Sequence, residues 1–172
     1  MDPFSIDSEL INIHAAFHQA QYQTVTTFDT SPFSAVNALP ARLLQLRAQI
    51  AAGEASAVAV ELSGDTEPAL RAVRALATVV AGEDVDGGVT EALALAADET
   101  AAQDHSVQTA AGSALVVAGK LDEAIKLLEA GRNDGNSTCL WGSLRRWHGE
   151  HETNVVFFWY FLWWGQLMRL RS

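Results

Sequence analysis

Apolar and polar residues follow the spacing of amphipathic helices along most of the chain. The clearest case is the stretch 110–128, AAGSALVVAGKLDEAIKLL, in which two apolar runs at i, i+3, i+4 spacing flank Gly119. The pattern predicts one helix that ends near Gly119 and a second that begins near Leu121. Gly112 and Ala124 are the small residues at which the two helices would approach closely. The stretch therefore predicts a helical hairpin.

The same spacing predicts further helices in the rest of residues 1–131. Their expected limits are 9–19, 22–28, 41–52, 54–62, 66–80, 89–97 and 103–118. Ser8 is expected to cap the first helix, and Asp65 or Thr66 the fifth. Pro40 and Pro68 are expected in the first turns of their helices, where a missing N–H costs nothing. The segment 82–88 is predicted to be an acidic loop.

Similar short segments, which we call joints, connect the end of one predicted helix to the start of the next. Gly53, Gly82 and Gly119 each follow an alanine and precede a helix, with spacings of 29 and 37 residues. A fourth joint lies 33 residues before Gly53 if Ala20 is set against that glycine. These spacings average near the 34 residues of a tetratricopeptide unit, in which each hairpin buries its apolar face on the next. The sequence predicts an all-α fold, a tetratricopeptide-like α-solenoid of helical hairpins, with an alanine-rich helical bundle as the alternative.

The register of that repeat assigns roles to particular residues. With Ala124 at position twenty of its unit, Gly112 falls at position eight, where the consensus also wants a small residue. The residues expected to pack repeats together are Gly53, Gly112, Gly119, Ala124 and Leu128.

A partner-binding surface is predicted on the inner face of the solenoid. Its expected residues are Ser106, Thr109, Ser113 and Val116 on the hairpin 110–128 and its lead-in, together with Tyr22 in the first hairpin. Their side chains are small, neutral or partly apolar. Such a surface suits an apolar segment of another chain better than an acidic tail.

Composition changes abruptly near residue 131. All 29 alanines lie at or before Ala130, and all five tryptophans lie at or after Trp141. Residues 1–131 hold 18 acidic and 6 basic side chains, whereas 132–172 hold 3 acidic and 5 basic ones. One packed domain seldom changes composition so completely. The sequence therefore predicts a solenoid over 1–131 and an unrelated Trp-rich tail over 132–172.

The tail contains the ten-residue apolar run VVFFWYFLWW at 155–164. A membrane span needs about 20 apolar residues, so a full span is not expected. Three interpretations stay open: an interfacial anchor, a cap over the last hairpin, or sequence outside the fold that comes from a retained intron or a shifted reading frame. The abrupt change in composition favours the third.

Charge and motif content argue against several classes of function. A net charge of −10 disfavours nucleic acid as a partner, because phosphate binding needs Lys and Arg. The single Cys139 and the absence of a secretory signal favour a reducing compartment. We expect no enzyme, no cofactor and no metal site.

Four sequence features resemble chemical sites but lack essential parts. They are the pair His14 and His18 without further ligands, Glu83 to Asp86 without a terminal glutamate, Gly87-Gly88 without phosphate-loop spacing, and Ser106 and Ser113 near His105 without a triad.

Two blocks resemble a known family. The segments FHQAQYQTVTTFD at 17–29 and VQTAAGSALVVAGKLDEAIKLL at 107–128 are similar to the epsilon subunit of coatomer, particularly its fungal forms. The resemblance extends over about residues 10–130. It implies a tetratricopeptide-like solenoid that binds the C-terminal domain of alpha-coatomer and stabilises the COPI coat in Golgi-to-ER and intra-Golgi transport.

The resemblance also implies a location and a departure from the family pattern. Members are cytoplasmic and reach Golgi membranes and COPI-coated vesicles peripherally, through the coat. The family continues with further repeats where this chain has its tail, so we expect a truncated solenoid with weakened binding. The alternative functions are a generic tetratricopeptide adaptor or co-chaperone that binds a peptide segment, and a protein tethered to membranes by its aromatic tail.

Overall fold

The regular structure of the molecule is helical wherever the structure describes it. The computed structural model describes the backbone of residues 4–130 and the side chains of residues 9–128. The helices are α1 (Phe4–His18), α2 (Tyr22–Thr26), α3 (Ala35–Ala51), α4 (Ala55–Glu61), α5 (Pro68–Ala81), α6 (Val85–Ala97), α7 (His105–Val117) and α8 (Leu121–Ala130), with a 3₁₀ turn at Ala101–Gln103 before α7. The all-α prediction is confirmed. The predictions made for 132–172 lie outside the described residues.

The eight helices form four consecutive hairpins, α1–α2 to α7–α8. The first helix of each hairpin contacts the first helix of the next one, as α1 does with α3, α3 with α5 and α5 with α7. The second helix of each hairpin also contacts the first helix of the next. These contacts are those of stacked helical hairpins, in which each unit covers the apolar face of its neighbour. The tetratricopeptide register stays a prediction.

Helix α3 separates two apolar clusters. Leu43, Leu46 and Ile50 face the larger cluster, which continues through α5, α6 and α7 to Leu127. Ala41, Leu44 and Ala48 face the smaller cluster. We call the smaller one the N-terminal cluster; its other fully or partly buried members are Leu10, Ile13, Ala16, Phe17, Tyr22, Val25, Phe28 and Phe33. Helix α3 is buried on two sides because it lies between the first hairpin and the third.

Three of the joints have the same backbone geometry. Ala20, Gly53 and Gly119 have φ angles of 57°, 99° and 77°. At each, the N–H donates to the carbonyl three residues earlier, and the next N–H donates to the carbonyl five residues earlier, at 2.8–3.1 Å. This is the Schellman ending of a helix, which requires a left-handed residue. Among the described residues Ala20 is the only one other than glycine with positive φ, so its alignment with Gly53 is confirmed.

The joint at Gly82 differs from the other three. Gly82 has a φ of 76°, but its N–H donates to the carbonyl of Thr78, four residues earlier. Ala20 and Gly53 are 33 residues apart, and Gly119 lies twice that distance after Gly53. Gly82 comes four residues before the position that this period gives, about one helical turn early. The unequal spacings of 29 and 37 residues therefore describe one shifted joint in an otherwise regular series.

The first two long helices begin earlier than their sequences suggest. The prediction that Ser8 caps the first helix is wrong, because α1 begins at Phe4, directly after Pro3. The prediction that Pro40 lies in a first turn is also wrong, because α3 begins at Ala35 and carries Pro40 in its interior. The Glu9 carboxylate of α1 accepts hydrogen bonds from the Ser34 N–H (3.0 Å) and the Asn37 side chain (2.8 Å). This contact from another helix holds the start of α3, where an interior proline is unfavourable.

The predicted acidic loop at 82–88 is largely helical, which is a further correction. Helix α6 begins at Val85, and the Asp84 carboxylate accepts a hydrogen bond from the Gly87 N–H. A Cβ atom on Gly88 would lie 2.7 Å from the Val79 side chain and 3.0 Å from the Ala75 carbonyl oxygen. The glycine therefore lets α6 approach α5 closely, so it is a packing residue rather than a loop residue.

The cap predicted for α5 is also misplaced. Neither Asp65 nor Thr66 caps this helix; Glu67 occupies the cap position and makes no side-chain cap bond. Pro68 is the first residue of α5, as expected. The proline sets the start of the helix because its fixed φ suits the first turn and its absent N–H loses no bond there.

Candidate partner-binding site

The predicted binding residues of the last hairpin lie in one row along α7. The Thr109 hydroxyl donates to the His105 carbonyl oxygen at 2.7 Å, and the Ser113 hydroxyl donates to the Thr109 carbonyl oxygen at 2.6 Å. Thr109 is 8% exposed, whereas Ser106 and Val116 are partly buried. The Thr109 and Ser113 hydroxyls are satisfied by the helix itself, so a partner could cover these two residues without leaving their hydroxyl groups unbonded.

The fifth predicted binding residue, Tyr22, lies in a different part of the core. Its ring packs edge-on against Phe17 at 5.9 Å between centroids, within the N-terminal cluster. Val116 packs against the larger cluster. The structure therefore gathers the four α7 residues into one row and leaves Tyr22 in the first hairpin; their role in binding stays a prediction.

The residues predicted to pack repeats lie at the joints and at the α7–α8 contact. Gly53 and Gly119 are the left-handed residues described above. A Cβ atom on Gly112 would lie 3.5 Å from the Leu128 side chain, and Ala124 is buried. Helices α7 and α8 approach closely at Gly112 and Ala124 because neither residue has a large side chain that would hold the helices apart.

The 33-residue period carries the α7 row onto the earlier hairpins. Ser113 corresponds to Arg47 in α3, two periods earlier, and to His14 in α1, one period before that. Val116 corresponds in the same way to Phe17. Equivalent positions of stacked hairpins lie on the same face of the stack. On this period the α7 row maps onto Arg47 of α3, between the buried Leu43 and Ile50, and onto His14 and Phe17 of α1.

These basic and aromatic residues are in contact with one another. The Arg47 guanidinium carbon lies 5.0 Å from the centroid of the Phe17 ring, a cation–π distance. The imidazole rings of His14 and His18 are stacked at 6.1 Å, and Phe17 meets His18 edge-on at 5.8 Å. We call Arg47, Phe17, His14, His18 and His105 the Arg47 cluster.

Electrostatics include His105 of α7 in this cluster. Burial lowers the pKa of His14, and the nearby His18, Arg47 and His105 lower it further. Burial also lowers the pKa of Arg47. Like charges and loss of water both disfavour the charged forms. The lowered pKa keeps His14 neutral near pH 7, so the guanidinium of Arg47 carries the positive charge of the cluster in a chain of net charge −10.

Arg47 differs from the other arginines that the structure describes. Arg42 forms ion pairs with Glu61 (3.5 Å) and Asp65 (3.9 Å). Arg71 and Arg74 both pair with Glu91. Within residues 9–128, no carboxylate lies within ion-pair distance of Arg47, and its one specific contact is the Phe17 ring. A partly buried arginine normally has an anionic partner.

Comparison with protein families identifies the chain. The model of the coatomer epsilon subunit matches residues 6–137, well over half of the chain. The chain belongs to the coatomer epsilon subunit family. The resemblance at 17–29 and 107–128 is thereby confirmed, and the family is a structural component of the COPI vesicle coat rather than an enzyme family. No curated protein and no solved structure matches the chain.

The Arg47 cluster of this coatomer epsilon chain was missed by sequence reasoning. In the sequence, His14 and His18 form an incomplete metal-binding pair. Arg47 is one of six basic residues in 1–131. No three metal-binding side chains within the described part of the chain are placed to hold an ion. The sequence feature that could have indicated the cluster is the 33-residue spacing of the helix joints, because it places His14 and Arg47 at equivalent positions of their hairpins.

None of the helices among the described residues has the length and apolar character needed to cross a bilayer. The predicted aromatic run of the tail, 155–164, falls outside those residues.

Proposed function

We propose that this coatomer epsilon-family chain binds the C-terminal domain of alpha-coatomer and supports Golgi-to-ER and intra-Golgi transport. It would do so in the cytoplasm and on COPI-coated Golgi membranes, which it would reach through the coat. The observation that carries the proposal is the family match over residues 6–137, a range that includes the stacked hairpins as far as Ala130. A hairpin stack acts by offering an extended surface to another chain.

The α7 row supports the choice of surface. Ser106, Ser113 and Val116 are partly accessible, and the Ser113 hydroxyl is already bonded to the helix backbone. Covering such a row removes apolar surface from water without breaking hydrogen bonds, which favours association. We therefore assign the partner to the face that carries this row.

The proposal is tested by titrating the full chain with the C-terminal domain of alpha-coatomer in a calorimeter. We expect a 1:1 complex, and we expect Ser113→Trp to weaken it at least tenfold because the indole would fill the row. The matched control is Val60→Trp, since Val60 is 74% exposed on α4, outside the row; it should bind as the wild type does. Circular dichroism melts check that both variants fold.

Two results would contradict the proposal. Absence of binding at tens of micromolar of each component would exclude alpha-coatomer as the partner. Equal weakening by both tryptophan variants would show that the row on α7 is not the binding face. Affinity capture that recovers chaperones and no coatomer subunits would favour the alternative of a co-chaperone adaptor.

A further inference from the structure

We propose that the Arg47 cluster holds a carboxylate side chain of the segment bound on the inner face. The inference rests on the proposed function, and it adds a position and a chemical class: an aspartate or glutamate of the bound segment, next to α1 and α3. The α7 row would contact the small or apolar residues of the same segment.

The first argument is the state of Arg47 itself. Its guanidinium is partly buried against Phe17 at 5.0 Å and has no carboxylate partner within residues 9–128. Stacking on an aromatic face fixes the plane of a guanidinium and leaves its N–H edge free to bind. That edge has the geometry for a two-point hydrogen bond to a carboxylate. An arginine that has no carboxylate partner among the described side chains and packs on an aromatic ring is a candidate binding group.

The second argument is the set of neighbours. The stacked rings of His14 and His18 lie beside Phe17 on α1, and an imidazole N–H can donate a hydrogen bond to an anion. The rest of residues 1–131 is strongly acidic. A bound carboxylate would therefore meet the positive charge of Arg47 within an otherwise acidic chain, which selects where along the inner face an acidic side chain binds.

A cation is excluded as the occupant by the same groups. Arg47 would repel a metal ion, and no three ligands in the described range are placed to hold one. An apolar occupant would leave the guanidinium buried without an anion, which is costly. Of the side chains a partner protein offers, a carboxylate satisfies the cluster best.

The test compares Arg47→Met with Arg42→Met in titrations against the C-terminal domain of alpha-coatomer. Methionine keeps a flexible apolar side chain at this position and removes the guanidinium and its charge. We expect Arg47→Met to weaken binding about 10- to 100-fold, as loss of a charge-assisted pair does, and to reduce the dependence of affinity on salt. Arg42 pairs on the surface with Glu61, so Arg42→Met should bind as the wild type does.

A second variant and a lipid-binding measurement distinguish failure of this inference from failure of the proposed function. Arg47→Lys should recover part of the affinity, because it restores charge without the two-point geometry. If the wild type binds and Arg47→Met binds equally well with the same salt dependence, the inference is overturned while the proposed function stands. If the wild type does not bind, both are overturned. Binding to phosphatidylserine vesicles that depends on Arg47, with unchanged affinity for the alpha-coatomer domain, would assign the cluster to a lipid headgroup and overturn the inference.

Discussion

At the residue scale, the chain relies on side chains placed where their own preferences are unfavourable. Ala20 occupies a left-handed position, with a φ of 57°, that glycine fills at the equivalent joints. Arg47 carries a charge into a partly buried site in which, within residues 9–128, no carboxylate pairs with it. Both states persist because the surrounding helices hold them.

The strain at Ala20 predicts a stabilising substitution. Ala20→Gly should raise the free energy of unfolding by about 1 kcal/mol, because glycine adopts positive φ without steric cost. The matched control is Ala52→Gly at the end of α3, where φ is −77°; it should lower the free energy of unfolding. Urea unfolding followed by circular dichroism measures both, and a destabilised Ala20→Gly would show that the left-handed geometry is not strained.

Glu9 predicts a dependence of stability on pH. Hydrogen bonds from the Asn37 side chain and from Ser34 lower the pKa of Glu9. Its contribution to stability is therefore fully present above the ordinary glutamate pKa of about 4.3 and is lost as the pH falls through the lowered value. Glu9→Ala should be less stable than the wild type at pH 7, and the difference should shrink between about pH 5 and pH 3.

The control for Glu9 is Glu99→Ala. Glu99 is exposed just after α6, so its removal should leave the melting temperature nearly unchanged at pH 7. A difference between wild type and Glu9→Ala that stays constant from pH 7 to pH 3 would contradict the role of the ionised carboxylate in holding α3.

At the scale of elements, the hairpins are held by close helix approach and by a few ionic contacts. Gly88 brings α6 against α5, and Gly112 brings α7 against α8. The two glycines differ in how much space remains. At Gly88 there is no space for a Cβ atom, so glycine is required, whereas at Gly112 there is space for one.

Substitution of the two glycines by alanine should have opposite effects. Gly88→Ala should lower the free energy of unfolding by roughly 1–2 kcal/mol, because its Cβ would lie 2.7 Å from Val79. Gly112→Ala should be neutral or raise it by up to about 1 kcal/mol, because its Cβ would lie at an ordinary 3.5 Å from Leu128 and alanine favours helix. Thermal melts compare them; a Gly112→Ala variant less stable than Gly88→Ala would invalidate this geometry.

The ion pairs between α5 and α6 should matter more than those on the surface. Glu91 and Arg74 expose 17% and 23% of their side chains, and Arg71 shares the same carboxylate. Glu91→Gln should cost about 1–3 kcal/mol, because two arginines lose their anion. Glu61→Gln removes the half-exposed pair with Arg42 and should cost no more than about 0.5 kcal/mol. Equal losses in denaturant unfolding would contradict the ranking.

At the scale of the whole molecule, two apolar clusters joined through α3 imply unequal stability along the stack. The N-terminal cluster is the smaller, and Ile13 and Val25 are its fully buried centre. In a solenoid each unit is stabilised mainly by its neighbours, so the end hairpin can open by itself.

Ile13→Ala should therefore act locally. It removes about 2–4 kcal/mol of packing, and hydrogen exchange should speed up in α1 and α2 while α5 and α7 keep their protection. Leu115→Ala, in the larger cluster, should instead speed exchange across α5, α6 and α7. Uniform acceleration of all helices by Ile13→Ala would show that the two clusters unfold as one.

The sequence by itself determined the helical class, the hairpin joints and most of the core. Apolar period and the left-handed residue at a helix end are local properties, so Gly53, Gly119 and even Ala20 could be located without coordinates. The family followed from two local blocks in the same way. Boundaries that depend on local chemistry, such as the start of α8, were placed correctly.

Only the tertiary structure decided what depends on contacts between distant residues. Glu9 holds the start of α3 although it lies 25 residues earlier in the chain. Gly88 lies in α6, packed against α5. Local helix propensity therefore predicted the starts of both α3 and α6 too late. The Arg47 cluster joins α1, α3 and α7. Its charge and its cation–π contact are properties of a shared surface, and that surface exists only once the hairpins have stacked.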